Sequence, residues 1–321
     1  MRLFRVLLRL VPLVVIVALV IAFGVIPYTF ARQMATALIH PERLPITNTP
    51  TTLGFTNWQT VRVDTLDGIT LEGWFIPPPT TALDGTPSDG ATILYLHALG
   101  KNRQSLLLQA ALLYRQGFGA LLVDQRAHGD SGGERSTLGY QELADTSALI
   151  DFLLTQPEVN PKKIGIVGES MGAVSGILVA SHRPDDVRAV VAQSPYASIE
   201  DVIRRTAQRD YGLLALTAVP LTRLVLEQET GADFSAVNPL AQIYWLHPRA
   251  VMLLHGDADP SVAPESSQAL YDAARDPREL VFFVSGGHGG LLEADPSLWG
   301  RRVTAFLRRY LRDAPIETGA S

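Results

Sequence analysis

The stretch Ile164–Gly176, IGIVGESMGAVSG, decides the fold. Its first four residues, Ile164 to Val167, have the apolar character of a buried strand, and the small and apolar residues from Met171 onward follow a helical spacing. Ser170 falls at the joint, between Gly168 and Gly172, with no room for an ordinary polar loop. Two explanations fit: a reactive serine held on a tight strand-to-helix turn, or a turn softened by glycine that carries no chemistry.

Outward from this joint the texture is that of alternating strands and helices. Strands are predicted at Ala91–His97, Ala120–Asp124, Lys163–Val167, Val187–Ala192, Ala250–His255 and Leu280–Val284. Several are near-continuous apolar runs, as befits parallel strands covered on both faces. Helical patterns separate them, for example YQELADTSALIDFLLTQ and DPSLWGRRVTAFLRRYLRD. The alternation predicts an α/β fold, a mostly parallel sheet with helices on both faces. Ahead of it, TVRVDTLDGITLEGWFIPP alternates around Asp67-Gly68, a hairpin signal. Between Ser198 and Trp245 the rhythm breaks and no strand appears. We read residues 198–245 as a helical insertion over the C-terminal edge of the sheet, where open α/β sheets bind ligands, or else as a packing element away from any site. Its apolar run Tyr211–Gln228, with Leu213, Leu214, Leu216, Val219, Leu221, Leu224 and Leu226, is expected to line the entrance if it acts as a lid.

The N-terminus differs from the rest. Residues 1–9 are basic, and Leu10–Ala31 carry no charge. As a helix, 10–31 is about 33 Å long, enough to cross a bilayer. An uncleaved transmembrane anchor is expected. A secretory signal peptide is the rival, with Ala35-Thr36-Ala37 as a small-x-small cleavage pattern. Arg2, Arg5 and Arg9 precede the span while Arg32 and Arg43 follow it, so the positive-inside bias points slightly to a cytoplasmic N-terminus, with the rest of the chain outside. Residues 32–55, rich in Thr and Pro, read as a linker with no sustained period. The main domain is then 56–315, followed by a short tail, 316–321.

Composition narrows the chemistry. The 321 residues include no cysteine, which removes thiol catalysis, disulfides and thiolate metal sites. A net charge of −5 without a basic stripe gives no footprint for nucleic acid. Metal, calcium and dinucleotide motifs are missing from the sequence, so no cofactor and no metal is expected.

Gly168-Glu169-Ser170-Met171-Gly172 is a G-x-S-x-G pentapeptide in the strand–turn–helix context that gives the motif meaning. A serine nucleophile needs a base, and the base an orienting acid, in the chain order Ser, acid, His for this architecture. The loop after the next-to-last strand, in VMLLHGDADPSVAP, offers Asp257 and Asp259. The loop after the last strand, in LVFFVSGGHGG, offers His288. The first amide of the helix, at Met171, is one oxyanion donor.

With these motifs, together with YLHALGKNR, VDQRAHGDSGG and DFSAVNPLAQI, the chain from about Thr60 to Asp313 resembles the serine hydrolases of the α/β-hydrolase superfamily. Within it, the chain is similar to membrane-anchored Bem46-like and to lysophospholipase- or S33-peptidase-like domains. The resemblance implies Ser170 as nucleophile, His288 as base and Asp259 as acid, leaving Asp257 to cap its turn. It also implies Leu99 as the second oxyanion donor, although Ala98 stands where that family has glycine and would be strained at a positive φ. The implied activity is cleavage of a small-molecule or lipid-like acyl substrate, with a peptidase of the same fold or a non-catalytic anchored binding module as alternatives.

Overall fold

The computed structural model describes residues 2–312; the tail 316–321 and the last three residues of the expected domain lie outside the described residues. The N-terminal helix runs as α1 (Arg2–Val20), a π-turn at Ile21–Val25, and α2 (Ile26–Ile39). Eight strands follow: β1 (Gln59–Asp64), β2 (Thr70–Ile76), β3 (Thr92–Leu96), β4 (Gly119–Val123), β5 (Ile164–Glu169), β6 (Val187–Gln193), β7 (Ala250–Gly256) and β8 (Arg278–Phe283). The helices among them are α3 (Leu107–Tyr114), α4 (Glu142–Leu154), α5 (Met171–His182), α6 (Ile199–Thr206), α7 (Val219–Thr230), α8 (Pro239–Ile243), α9 (Pro264–Ala273), α10 (Leu291–Ala294) and α11 (Pro296–Leu307).

The strands form one sheet in the order β1-β2-β4-β3-β5-β6-β7-β8. β2 is antiparallel to both neighbours, and every pairing from β4 through β8 is parallel. The predicted hairpin at Asp67-Gly68 joins β1 to β2. The last strand starts two residues earlier than its apolar run suggests and ends before Val284, which is exposed.

Alternation along each strand builds two separate cores. Ile93, Tyr95, Leu122, Val167, Val191, Met252 and Leu254 face α3 and α11. Leu94, Leu96, Leu121, Val123, Ile166, Val190, Val251 and Leu253 face α4, α5, α8 and α9. Helices therefore cover both faces, and these central strands read as continuous apolar runs because neither face meets water.

A third apolar cluster lies over the C-terminal edge of the sheet. It joins Ala31, Met34, Ala35, Leu38 and Ile39 of α2 to Met171 and Val174 of α5 and to Ile199, Ile203, Val225 and Leu226 of the insertion. Two sequence expectations are corrected here. Residues 32–39 are not linker: they continue the N-terminal helix, because positions 31, 34, 35, 38 and 39 form an apolar stripe at helical spacing that packs on the domain. Residues 40–55 are also tied down. The Arg43 guanidinium donates to the carbonyls of Gly129 (2.9 Å), Ser131 (2.6 Å) and Gly133 (2.7 Å). Gln104 Oε1 accepts the Thr47 and Asn48 amides, each at 2.9 Å.

The turn at Ser170 depends on close contact between α5 and β3. A Cβ on Gly172 would stand 2.1 Å from the Leu96 carbonyl oxygen, and one on Gly168 2.4 Å from the Gly172 carbonyl oxygen. Both obstacles are backbone, so relief requires α5 to shift. Gly172→Ala is expected to destabilise by roughly 2–4 kcal/mol through overpacking. Gly300→Ala, in open space on α11, is expected to be neutral or to stabilise by up to about 1 kcal/mol. Urea midpoints of the two variants check this; equal midpoints would show that the contact relaxes freely.

Candidate active site

β5 ends at Glu169 and α5 begins at Met171, so Ser170 alone makes the turn. It takes φ 51° and ψ −112°, a conformation that L-residues rarely adopt. The Ser170 amide donates to the Gln193 carbonyl at 2.7 Å, and the Ser170 carbonyl accepts the Val174 amide at 3.1 Å. These bonds hold the strained residue between β6 and the first turn of α5.

The loops after β7 and β8 bring the other side chains to it. His288 Nε2 lies 2.9 Å from Ser170 Oγ, and His288 Nδ1 lies 2.7 Å from Asp259 Oδ2. A carboxylate can only accept, so Nδ1 carries the proton and Nε2 is free to accept from the serine hydroxyl. Asp259 is buried; its Oδ1 accepts the amides of Ser261 (2.7 Å) and Val262 (2.9 Å). His255 Nε2 stands 3.2 Å from Oδ2 on the same carboxylate. Burial by itself would raise the Asp259 pKa, but hydrogen bonds from His255, His288 and the loop amide overcome it and hold the carboxyl well below the usual range. Asp257 acts elsewhere, its Oδ1 accepting the Ser285 amide at 2.6 Å and so tying the two loops together. The structure thus brings Ser170, His288 and Asp259 into one chain of hydrogen bonds and leaves Asp257 outside it.

Leu99 and Met171 line the same cavity, of about 280 Å³, as Ser170 and His288. The amide of Met171 is in the first turn of α5, where no intrahelical acceptor exists for it. Ala98 is not strained: the positive φ of this loop belongs to Gly100, at 69°. The departure from glycine at position 98 is therefore harmless.

Buried polar groups support this loop from behind. Arg103 and Asp124 form a buried ion pair at 2.6 Å, and Asp124 also accepts the Arg103 amide at 2.7 Å. His128 Nε2 accepts the Gly100 amide at 3.0 Å, and His97 Nε2 accepts the Gln125 amide at 2.9 Å. Burial, reinforced by His128, depresses the His97 pKa to about 3, so it stays a neutral acceptor. Glu142 fixes the opposite wall. Its carboxylate accepts from Ser136 Oγ, Thr137 and the Gly139 amide, which holds Leu138 at a φ of 53°. Its position in the first turn of a predicted helix was the available signal. Glu169, the second residue of the pentapeptide, is buried, and its pKa is raised by that burial against the pull of His288.

The insertion contributes to the cavity, but not through the residues expected. Ile199, Val202, Thr206 and Arg209, from α6 and the turn after it, line the cavity with Ala37 and Leu38 of α2 and with Leu138, Tyr196, Ser261 and Val262. Along Tyr211–Gln228, Leu216, Val219, Leu221 and Leu226 pack into the third cluster, whereas Leu213 and Leu224 are exposed. The side chain of Leu214 lies outside the described residues. Leucine at helical spacing is here a packing stripe directed at α2.

Comparison with known proteins follows from this geometry. Residues 33–231 match the X-Pro dipeptidyl-peptidase (S15 family). That span includes Ser170 and ends before the loops of Asp259 and His288. An uncharacterised protein of Mycobacterium tuberculosis is 28% identical over 309 residues, which cover 96% of this chain and 97% of that one. The uncharacterised protein YqkD of Bacillus subtilis is 27% identical over 75% of this chain and 76% of its own length. Among solved structures, the Pyrococcus furiosus esterase Pf2001 superposes with a TM-score of 0.69 at 25% identity, covering 85% of this chain and 98% of the esterase. The fold is that of the α/β-hydrolases.

The ion pair behind the Leu99 loop yields a test. Asp124→Ala leaves the buried Arg103 guanidinium with only the more exposed Asp130 as ionic partner and is expected to cost about 3 kcal/mol, the low end for a broken buried pair. Thermal or urea unfolding measures it; a loss within ordinary surface-variant range would mean that water replaces the carboxylate.

Proposed function

This chain belongs to the X-Pro dipeptidyl-peptidase (S15) family, and we propose that it is a serine hydrolase that cleaves a carboxylic ester or related acyl bond through Ser170, His288 and Asp259. The observation that carries the reading is the pair of contacts at His288, 2.9 Å to Ser170 Oγ and 2.7 Å to Asp259 Oδ2. Ser170 Oγ attacks the acyl carbonyl as its proton passes to His288 Nε2. Asp259 keeps Nδ1 protonated and stabilises the imidazolium. The Leu99 and Met171 amides receive the developing oxyanion. His288 then returns the proton to the leaving group, and water, deprotonated by the same imidazole, resolves the acyl-enzyme. The residues that act are all side chains and amides of this chain, so the mechanism draws on no metal or cofactor.

The family match favours a second reading, removal of a dipeptide ending in proline. Such an enzyme must hold a free ammonium near the scissile bond, which calls for a carboxylate or several acceptors. Among the described residues that line the cavity there is no Asp or Glu, the charged side chain is Arg209, and most of the wall is apolar. That composition supports an acyl substrate over a dipeptide. We further propose that residues 10–31 anchor the chain as a single pass, with the hydrolase domain outside the cytoplasm. The exposed apolar surface from Leu10 to Ile26 supports the span, and Arg2, Arg5 and Arg9 ahead of it motivate the orientation.

Ser170→Ala and His288→Ala are each expected to reduce ester hydrolysis by about 10⁴-fold or more with the fold intact, and Asp259→Asn by about 10³–10⁴-fold. Asp257→Asn should cost far less. A serine-directed fluorophosphonate is expected to label wild-type protein at Ser170, and absence of labelling would leave a binding module. Parallel assays with acyl esters and glycyl-prolyl anilide compare the two chemistries; faster turnover of the anilide would overturn the ester reading.

A further inference from the structure

The N-terminal helix has two parts with different surroundings. From Leu10 to Ile26 it is apolar on every side and exposed, with Val14 at 63% and Phe23 at 78%. From Ala31 to Ile39 one stripe is buried against α5, α7 and the rest of the insertion. Between them Pro27 is buried and the helix continues. The far end of this helix reaches the cavity of Ser170: Ala37 and Leu38 stand in its wall, together with Ile199 and Val202.

Several contacts fix that end in place. The Ile39 carbonyl accepts the Ser136 amide at 2.8 Å. His40 Nδ1 donates to the Glu134 carbonyl at 3.0 Å. Ser136 Oγ in turn lies 3.2 Å from the sulfur of Met171, the residue after the proposed nucleophile. With the Arg43 clamp on Gly129, Ser131 and Gly133, this end of the helix is built into the cavity's frame.

We propose that α2 is part of the substrate site, and that Ala37 and Leu38 form the wall along which the apolar chain of an acyl ester lies. This rests on the serine-hydrolase reading above. α2 then determines chain-length specificity, and the working form of the protein is the uncleaved chain. Cleavage after Ala37 would remove Ala31, Met34 and Ala35 from the third cluster and Ala37 from the cavity wall, and would leave Leu38 without the helix that holds it. Ala37 is exposed toward the cavity whereas Leu38 is buried. A larger side chain at 37 therefore narrows the cavity without overfilling a core.

The test uses the full chain in lipid nanodiscs with p-nitrophenyl esters from acetate to dodecanoate. Ala37→Trp is expected to lower the ratio of kcat/KM for dodecanoate to that for acetate at least about tenfold. Ala37→Leu should give a smaller shift in the same direction. Thr36→Trp, which places the same bulk one residue away on an exposed position, should keep the wild-type profile. An unchanged dodecanoate-to-acetate ratio in both Ala37 variants would overturn the proposal, and so would a profile equally altered by Thr36→Trp. Should Ala37→Trp fail to fold, as judged by its unfolding temperature, the ratio in Ala37→Leu decides. Membrane-isolated protein whose N-terminal sequence begins at Leu38 would also overturn it. Wild-type protein that neither turns over acetate nor reacts with fluorophosphonate would instead remove the hydrolase reading.

Discussion

The approach of α5 to the end of β3 is the contact on which the site depends. Only hydrogen fits at Gly172 beneath the Leu96 carbonyl, and only hydrogen fits at Gly168 beneath Gly172. With that spacing, the chain passes from strand to helix in one residue and leaves Ser170 at the crest. The same contact brings the loop that leaves β3, with Leu99, alongside the start of α5. Ser170 and the loop proposed to hold the oxyanion are neighbours for one steric reason. The conformation of Ser170 costs on the order of 1–3 kcal/mol, offset by its bonds to Gln193 and Val174 and by the two apolar cores that clamp the sheet.

Around that crest the polar groups divide into those aimed at the cavity and those that hold loops. His288 is aimed and Asp259 backs it; His97, His128, Asp124 and Glu142 hold. Each holding group is buried and accepts backbone or hydroxyl hydrogens, except that Asp124 also balances Arg103. His255 belongs to both sets, since it braces Asp259 from behind while bonding Ser267 Oγ at 2.6 Å. The Asp259 carboxylate is therefore fixed by its surroundings, as the proposed role of orienting the His288 imidazole requires.

Much of this could be read from the chain alone, for identifiable reasons. Strands covered on both faces are continuous apolar runs, so the sheet from β3 to β7 stood out, and glycines flanking one serine marked the turn. The loops that close the last two strands offered His288 and two acids, Asp257 and Asp259, and the choice of Asp259 came from the family resemblance. What escaped reading was contact between distant segments. The stripe Ala31, Met34, Ala35, Leu38, Ile39 has a clear helical period, but it continues an unbroken apolar run and lies beside prolines and threonines, so its boundary was hidden. The leucines of Tyr211–Gln228 looked like a lid because their partner, α2, had been assigned elsewhere. Periodicity shows that a face is buried; it does not say what buries it.

The Arg43 clamp has a mechanical consequence. A helix joined to a domain through a flexible spacer can tilt while the domain stays upright, but here helix and domain meet without slack. If α1 lies in a bilayer, any tilt adopted to match the local hydrocarbon thickness rotates the whole domain as a lever rotates its load. The height and inclination of the opening above the lipid headgroups would then follow membrane thickness, making the bilayer itself a coordinate of the enzyme's geometry.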